Sequence, residues 1–188
     1  DDGIYDAMNK GIKKSNGDLI GFINSDDFYP NKNIIQLVVD NIKANQYDAC
    51  YGDLCYVEPD SKNISRFWES KSYIKGNFRN SWVPPHPTFF AKKEVFDNYG
   101  LFNTIYSLAA DFDLMLRFLE VHNIETTYIR EVLVHMREGG ATNKNLKNII
   151  KQNYEIIKSL KENGFNPSIL KFLVSKFFSR IKQFKLAA

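Results

Sequence analysis

This 188-residue sequence predicts an α/β fold: a mixed sheet flanked by helices, followed by a helical tail. Three observations predict it. Helix-period and strand-like apolar segments alternate through the first half of the chain. The first strand-like run is short and continuously apolar, as in a sheet covered on both faces. Past about residue 143 the strand signals stop and only long helical patterns remain. The chain therefore divides into an α/β domain over 1–143 and a helical extension over 144–188.

Residues 4–14, IYDAMNKGIKK, place Ile4, Ala7, Met8 and Ile12 at helical spacing, with Gly17 just beyond the end. Leu19 to Ile23 is the short apolar strand. Pro30 and Asn31 punctuate, and 31–44 reads as a helix with Ile34, Ile35, Leu37, Val38 and Ile42 on its inner side. Strands are expected at 47–57 and 64–68. Three prolines at 84, 85 and 87 precede a short strand and a helix from about 92. Residues 111–121, DFDLMLRFLEV, are amphipathic with Leu114, Leu116, Phe118 and Leu119 inward. Short strands at 125–130 and 132–136 lead to Gly139-Gly140, and helices follow over 143–163 and 167–185.

Apolar residues make up 44% and charged residues 25% of the chain, the balance of a soluble globular domain. A net charge of +3 is too small to argue for nucleic-acid binding. No apolar run of bilayer length occurs. Cys50 and Cys55, five residues apart in a strand, point to opposite faces and are expected as buried reduced thiols. That argues weakly for a cytosolic setting.

The segment GDLIGFINSDDFYP, residues 17–30, ends an apolar strand on two adjacent carboxylates. In open α/β sheets ligands bind beyond the carboxyl ends of strands. Neighbouring carboxylates repel unless a cation or a donor compensates them. Mg²⁺ takes one or two carboxylates together with substrate phosphates, so Asp26 and Asp27 are chemically suited to a metal that holds a diphosphate. A solvated turn, or a cap for the next helix, would use the same residues.

The run DDGIYDAMNKGIKKSNGDLIGFINSDDFYP, followed by YGD, HPTFF, AADFDLMLRF and REGGAT, resembles family 2 glycosyltransferases of the GT-A, Rossmann-like fold over about residues 1–143. The resemblance implies an inverting transfer of a sugar from a nucleotide-diphosphate donor to an acceptor hydroxyl, in the synthesis of cell-surface polysaccharide or glycolipid. It implies Mn²⁺ or Mg²⁺ on Asp26 and Asp27, which would also bind the donor. Such transfer needs a group to take the acceptor's proton. Asp111 and Asp113 are the candidates, and the family pattern matches Asp111 as the base, with Leu114 and Arg117 following. Asn24, Met8 and Ala110 stand where many relatives carry an acid, an arginine and a glutamate. Asp113 reads as a structural partner of Arg117 at i,i+4.

Arg137, ahead of Gly139-Gly140, is a candidate for the donor's diphosphate, since guanidinium matches phosphate oxygens in pairs; a surface arginine at a turn is the plain alternative. His86, Asp53 and Trp82 are candidates for the acceptor site, each with an ordinary packing role as its alternative. The tail from 169 to 185 interleaves Phe172, Phe177, Phe178, Ile181 and Phe184 with Lys171, Lys176, Arg180, Lys182 and Lys185. A basic amphipathic helix of this kind suits the surface of an anionic membrane, here the inner face of the cell membrane, reached from the cytoplasm. Packing on its own domain, or on a second copy as a homodimer, would also use it.

Relatives begin with a strand, a turn and a helix that bind the nucleotide base, and one βαβ unit alone needs roughly 30 residues. None of these precede Asp1, so the sequence is expected to be an N-terminally truncated piece of a longer frame. Two other functions compete. One is a non-catalytic remnant that binds a sugar or a partner. The other is a metal-dependent nucleotidyl- or phosphotransferase, against which the AADFDLMLRF helix argues.

Overall fold

The computed structural model describes residues 1–59, 63–138 and 145–185. In chain order the elements are α1 (Ile4–Lys14), β1 (Leu19–Ile20), α2 (Ile34–Asn45), β2 (Ala49–Val57) and β3 (Ile64–Trp68). Single 3₁₀ turns at Asn77–Asn80 and His86–Thr88 lead to β4 (Phe90–Lys92), α3 (Lys93–Tyr99) and α4 (Ala110–Leu116). Then come β5 (Thr126–Arg137), α5 (Leu146–Glu162) and α6 (Ile169–Lys185).

The sheet is built around β2. Along one edge β5 runs parallel to it, from Ala49 opposite Thr126 to Val57 opposite Arg137. The other edge is shared: β4 pairs antiparallel at the start, Ala49 with Ala91, and β3 antiparallel at the end, Tyr56 with Arg66. Because side chains alternate along a strand, β2 feeds two cores. Ala49 and Tyr51 join the larger one with residues of α1, α3 and α4. Cys50 and Leu54 join the one under α2, with Ile34, Val38 and Ile42. Both cysteines are buried and free, as expected, and burial pushes the Cys50 thiol up to about 12.

Four expectations are corrected. The two strands expected at 125–130 and 132–136 are one strand, β5, whose register against β2 shifts between Tyr51 and Leu54. Gly52 sits at that irregularity, where a Cβ would lie 2.7 Å from the Glu131 carbonyl oxygen. The strand expected over 19–23 is hydrogen-bonded only at Leu19–Ile20, antiparallel to β4; at Gly21 the Phe90 ring fills the space a Cβ would take. The 31–44 helix begins at Ile34, since the Asn31 side chain accepts the N–H of Asn33 and forms a turn first. The 111–121 helix is α-helical to Leu116 and then widens into a π turn, Arg117–Val121. At that point the Arg117 guanidinium is drawn to the carbonyls of Tyr99 (2.7 Å) and Leu101 (2.6 Å).

Helix α6 docks through its less apolar face. Phe172 is buried in the larger core, Ser175 Oγ donates to the Asn80 carbonyl (2.7 Å), and Gln183 is buried. The Arg66 guanidinium lies between the rings of Tyr56 (3.8 Å) and Phe184 (5.7 Å). Leu170, Leu173, Val174, Phe177, Phe178, Ile181 and Phe184 are exposed, a stripe at spacings of three and four on the outer side. Among the described residues, no helix is long and apolar enough to cross a membrane.

Candidate active site

Asp111 is the second residue of α4, in a first turn whose positive helix end suits acids. It is half-buried, and its Oδ1 accepts the hydroxyl of Tyr5 on α1 at 3.1 Å. Burial, and next the charge of Asp111, push the Tyr5 phenol well above the usual tyrosine range, so Tyr5 stays a donor. Asp113, two residues on, is fully engaged elsewhere. Arg117 Nε reaches one oxygen (2.9 Å) and Ser159 Oγ the other (2.7 Å). The structural pairing expected for Asp113 is what the structure contains.

His86 faces the same region. Its ring stacks on Phe22 (5.8 Å) and meets Phe102 edge-on (5.9 Å). Burial holds its imidazole below the usual histidine range while Asp111 opposes that shift. Its Nε2 is out of solvent without a hydrogen-bond partner, so an acceptor hydroxyl would find an unsatisfied group there.

Asp26 and Asp27 follow β1. Asp27 is held in place: Oδ2 accepts Asn24 Nδ2 (2.8 Å) and Oδ1 accepts the backbone N–H of Arg137 (3.2 Å). Burial pushes its carboxyl above the ordinary range, and the charge of Asp26 adds to this against those two donors. Asp26 is exposed. Among the described residues no group of three or more His, Cys, Asp or Glu converges as a closed metal site. What remains is a two-carboxylate ledge, which suits a hard cation shared with phosphates.

The Asp26–Asp27 ledge and Asp111 are joined through one aromatic cluster. Phe22, two residues before Asn24, packs edge-on against Phe102 (5.2 Å), and Phe102 stacks on Tyr5 (5.4 Å), the donor to Asp111. Arg137 lies beside Asp27, with its guanidinium over the Phe28 ring (5.5 Å) and bonded to the Pro59 carbonyl. Gly139 and Gly140 lie outside the described residues.

The remaining acceptor candidates are occupied by packing. Asp53 is buried and accepts the N–H of Ser70 and the hydroxyl of Tyr128, both at 2.7 Å. Trp82 is half-buried, stacked on Tyr73 (5.9 Å) and edge-on to Phe78 (5.8 Å). A pocket of about 420 Å³ between Tyr47, Tyr73 and Thr126 lies at the start of β5, the opposite end from Arg137 and Asp27.

Sequence reasoning missed Tyr5, whose contact with Asp111 spans 106 residues and leaves no local signal. It also missed the donor role of Asn24, noticed only as a departure from an acid. Its spacing of three from Asp27 in a turn was the available hint.

Comparison with known proteins supplies the family. The model described as glycosyl transferase family 2 matches residues 1–102, more than half of the chain. PGL/p-HBAD biosynthesis glycosyltransferases of Mycobacterium tuberculosis and Mycobacterium bovis are 26% identical over 145 residues, which is 76% of this chain and 54% of theirs. The chain thus spans about half the length of these relatives. TarS of S. aureus, residues 1–349, superposes with a TM-score of 0.61 in complex with UDP, at 18% identity, covering 100% of this chain and 55% of that one. Its complex with UDP-GlcNAc gives 0.59 at 17%, covering 98% and 56%. The fold is that of the GT-A enzymes, and by the family match this chain belongs to glycosyl transferase family 2.

Proposed function

We propose that the chain carries the catalytic half of an inverting, metal-dependent glycosyltransferase that moves a sugar from a nucleotide-diphosphate donor to a hydroxyl of a cell-surface glycan or glycolipid. The observation that carries this reading is the Asp111 carboxylate. It is held by Tyr5, acts electrostatically on His86, and is tied through one aromatic cluster to the Asp26–Asp27 ledge. In the step this supports, the acceptor's hydroxyl proton goes to Asp111 as its oxygen bonds the anomeric carbon. The bond from that carbon to the diphosphate breaks, and the electron pair leaves with the diphosphate. Asp26 and Asp27 would hold Mn²⁺ or Mg²⁺, which when bound supplies positive charge against the leaving group. Arg137, whose backbone N–H binds Asp27, would meet the diphosphate by turning its guanidinium from the Pro59 carbonyl.

TarS was crystallised with UDP and UDP-GlcNAc, which makes UDP the first ligand to test. Titrated calorimetrically, UDP is expected to bind far better with Mn²⁺ than without, and Asp27→Ala to remove most of that difference. Metal-independent affinity, or none, would favour a non-catalytic binding remnant.

The outer face of α6 suits an anionic membrane surface at the inner leaflet. Its exposed apolar residues share a helix with Lys171, Arg180 and Lys182, and no acid occurs from 163 to 188. Two copies pairing through this stripe would bring like charges together, whereas acidic lipids complement them. A lipid-linked acceptor would be met there.

A further inference from the structure

Strand β3 is an edge of the sheet, and it carries a buried cation. Arg66 is only 8% exposed. A charge so deeply buried is ordinarily paired or coordinates an ion. Among the described residues no carboxylate lies within ion-pair distance of Arg66, and no acceptor takes any of its N–H groups. Its Nε is fully out of solvent and unsatisfied. The nearby acid Glu138 is bonded to the adjacent Ser65 Oγ (2.6 Å) instead. What holds the guanidinium is a pair of rings: Tyr56, its cross-strand partner, at 3.8 Å, and Phe184 of α6 at 5.7 Å. Rings attract a cation but supply no acceptor in place of the water that folding removes.

The two rings are unequal. Tyr56 is fixed within β2, between β3 and β5. Phe184 is in the last turn of α6, is 52% exposed and belongs to neither core, so it is the movable cover. Arg180, four residues before it, lies on the same side of α6. An anion entering under Phe184 comes between Arg66 and the turn that carries Arg180. Arg66 is opposite Tyr56, Tyr56 is opposite Met136, and Arg137 follows on β5. Two strand spacings are about 10 Å, so Arg66 is at the same end of the sheet as the Asp26–Asp27 ledge and apart from it. Guanidinium N–H groups match phosphate oxygens in pairs. We propose that Arg66 is the anchor of a phosphate-binding site between β3 and α6, covered by Phe184, that takes the phosphate ester of a lipid headgroup or a free phosphate. The choice of phosphate among anions rests on the lipid-facing reading of α6; the site itself rests on the unpaired guanidinium.

The test uses the whole chain and no turnover, so it is independent of Asp111. The Nε–H signal of Arg66, assigned by its loss in Arg66→Lys, is followed by NMR as inorganic phosphate or monomeric dihexanoyl phosphatidic acid is added. A saturable shift with inorganic phosphate supports the site with a free phosphate in it. A shift with the phosphatidic acid alone supports it with a lipid headgroup. No shift with either, or an equal shift with acetate at the same ionic strength, overturns the proposal. The ligand that shifts the signal should also raise Tm in the parent chain and in Phe184→Ala. Arg66→Met should need about 10-fold more of it, or beyond, for the same rise. An equal rise at equal concentration in Arg66→Met, or none in Phe184→Ala, would overturn the site and leave Arg66 a packing residue between its two rings.

Discussion

Asp111 and Asp113 are two residues apart, and their partners set them apart. Asp111 keeps a half-open carboxylate with one phenolic donor, so it can accept a proton. In Asp111→Asn, transfer should fall by about 10²–10⁴-fold, the usual contribution of a positioned base, while UDP affinity measured by calorimetry stays near that of the parent chain. Asp113 is buried between Arg117 and Ser159. Removing one partner of a buried pair leaves the other uncompensated, at about 3–5 kcal/mol. Asp113→Ala should therefore lower the denaturation midpoint sharply, and a denaturant melt that matches the parent's would show the pair to be dispensable.

At the scale of elements, α6 decides most. Its two faces are inverted relative to an ordinary surface helix: Lys176, Ser175 and Gln183 turn inward while Phe177 and Phe178 are more than half exposed. Burying such a face in a lipid interface is favourable by about 25 cal/mol per Å² of apolar area. Phe177→Ser with Phe178→Ser should abolish flotation with vesicles of acidic lipids and leave the melting temperature unchanged, because neither ring contributes to the core. Equal flotation by the variant, or a parent dimer in solution that the variant breaks, would remove the bilayer as occupant of this stripe. Around β2 and β5, Gly52 has the other kind of constraint, since a side chain there meets the Glu131 backbone rather than solvent.

Across the whole molecule, the half-buried Lys176 makes stability depend on pH. Folding lowers its proton affinity to about 8 from the ordinary lysine value, so the unfolded chain holds more protons between those limits. Stability contributed by this residue is thus lowest below pH 8 and rises as pH increases through that window. Chemical denaturation from pH 7 to 10 should show the parent chain gaining stability relative to Lys176→Met, while the raised thiols of Cys50 and Cys55 lower both curves alike. Curves of the same shape in parent and variant would count against a half-buried charged amine.

Much of the fold and half of the candidate site are written locally. The helix 4–14, the start of the strand ahead of Asp26 and Asp27, the 64–68 strand and the acid in the first turn of the 110 helix all come from runs of a few residues, whose periodicity or motif needs nothing distant. What the tertiary structure decided joins residues far apart: Tyr5 with Asp111, Phe22 with Phe102, the N–H of Arg137 with Asp27, Arg66 with Phe184. It also decided that 126–137 is one bulged strand and that Asp53 serves Ser70 and Tyr128. Helical spacing identified the apolar positions of α6, but which face turned inward depended on what Asn80, Asn153 and the core offered it. A one-dimensional pattern reports what a segment prefers to bury; only packing against the remaining elements settles which neighbour receives it.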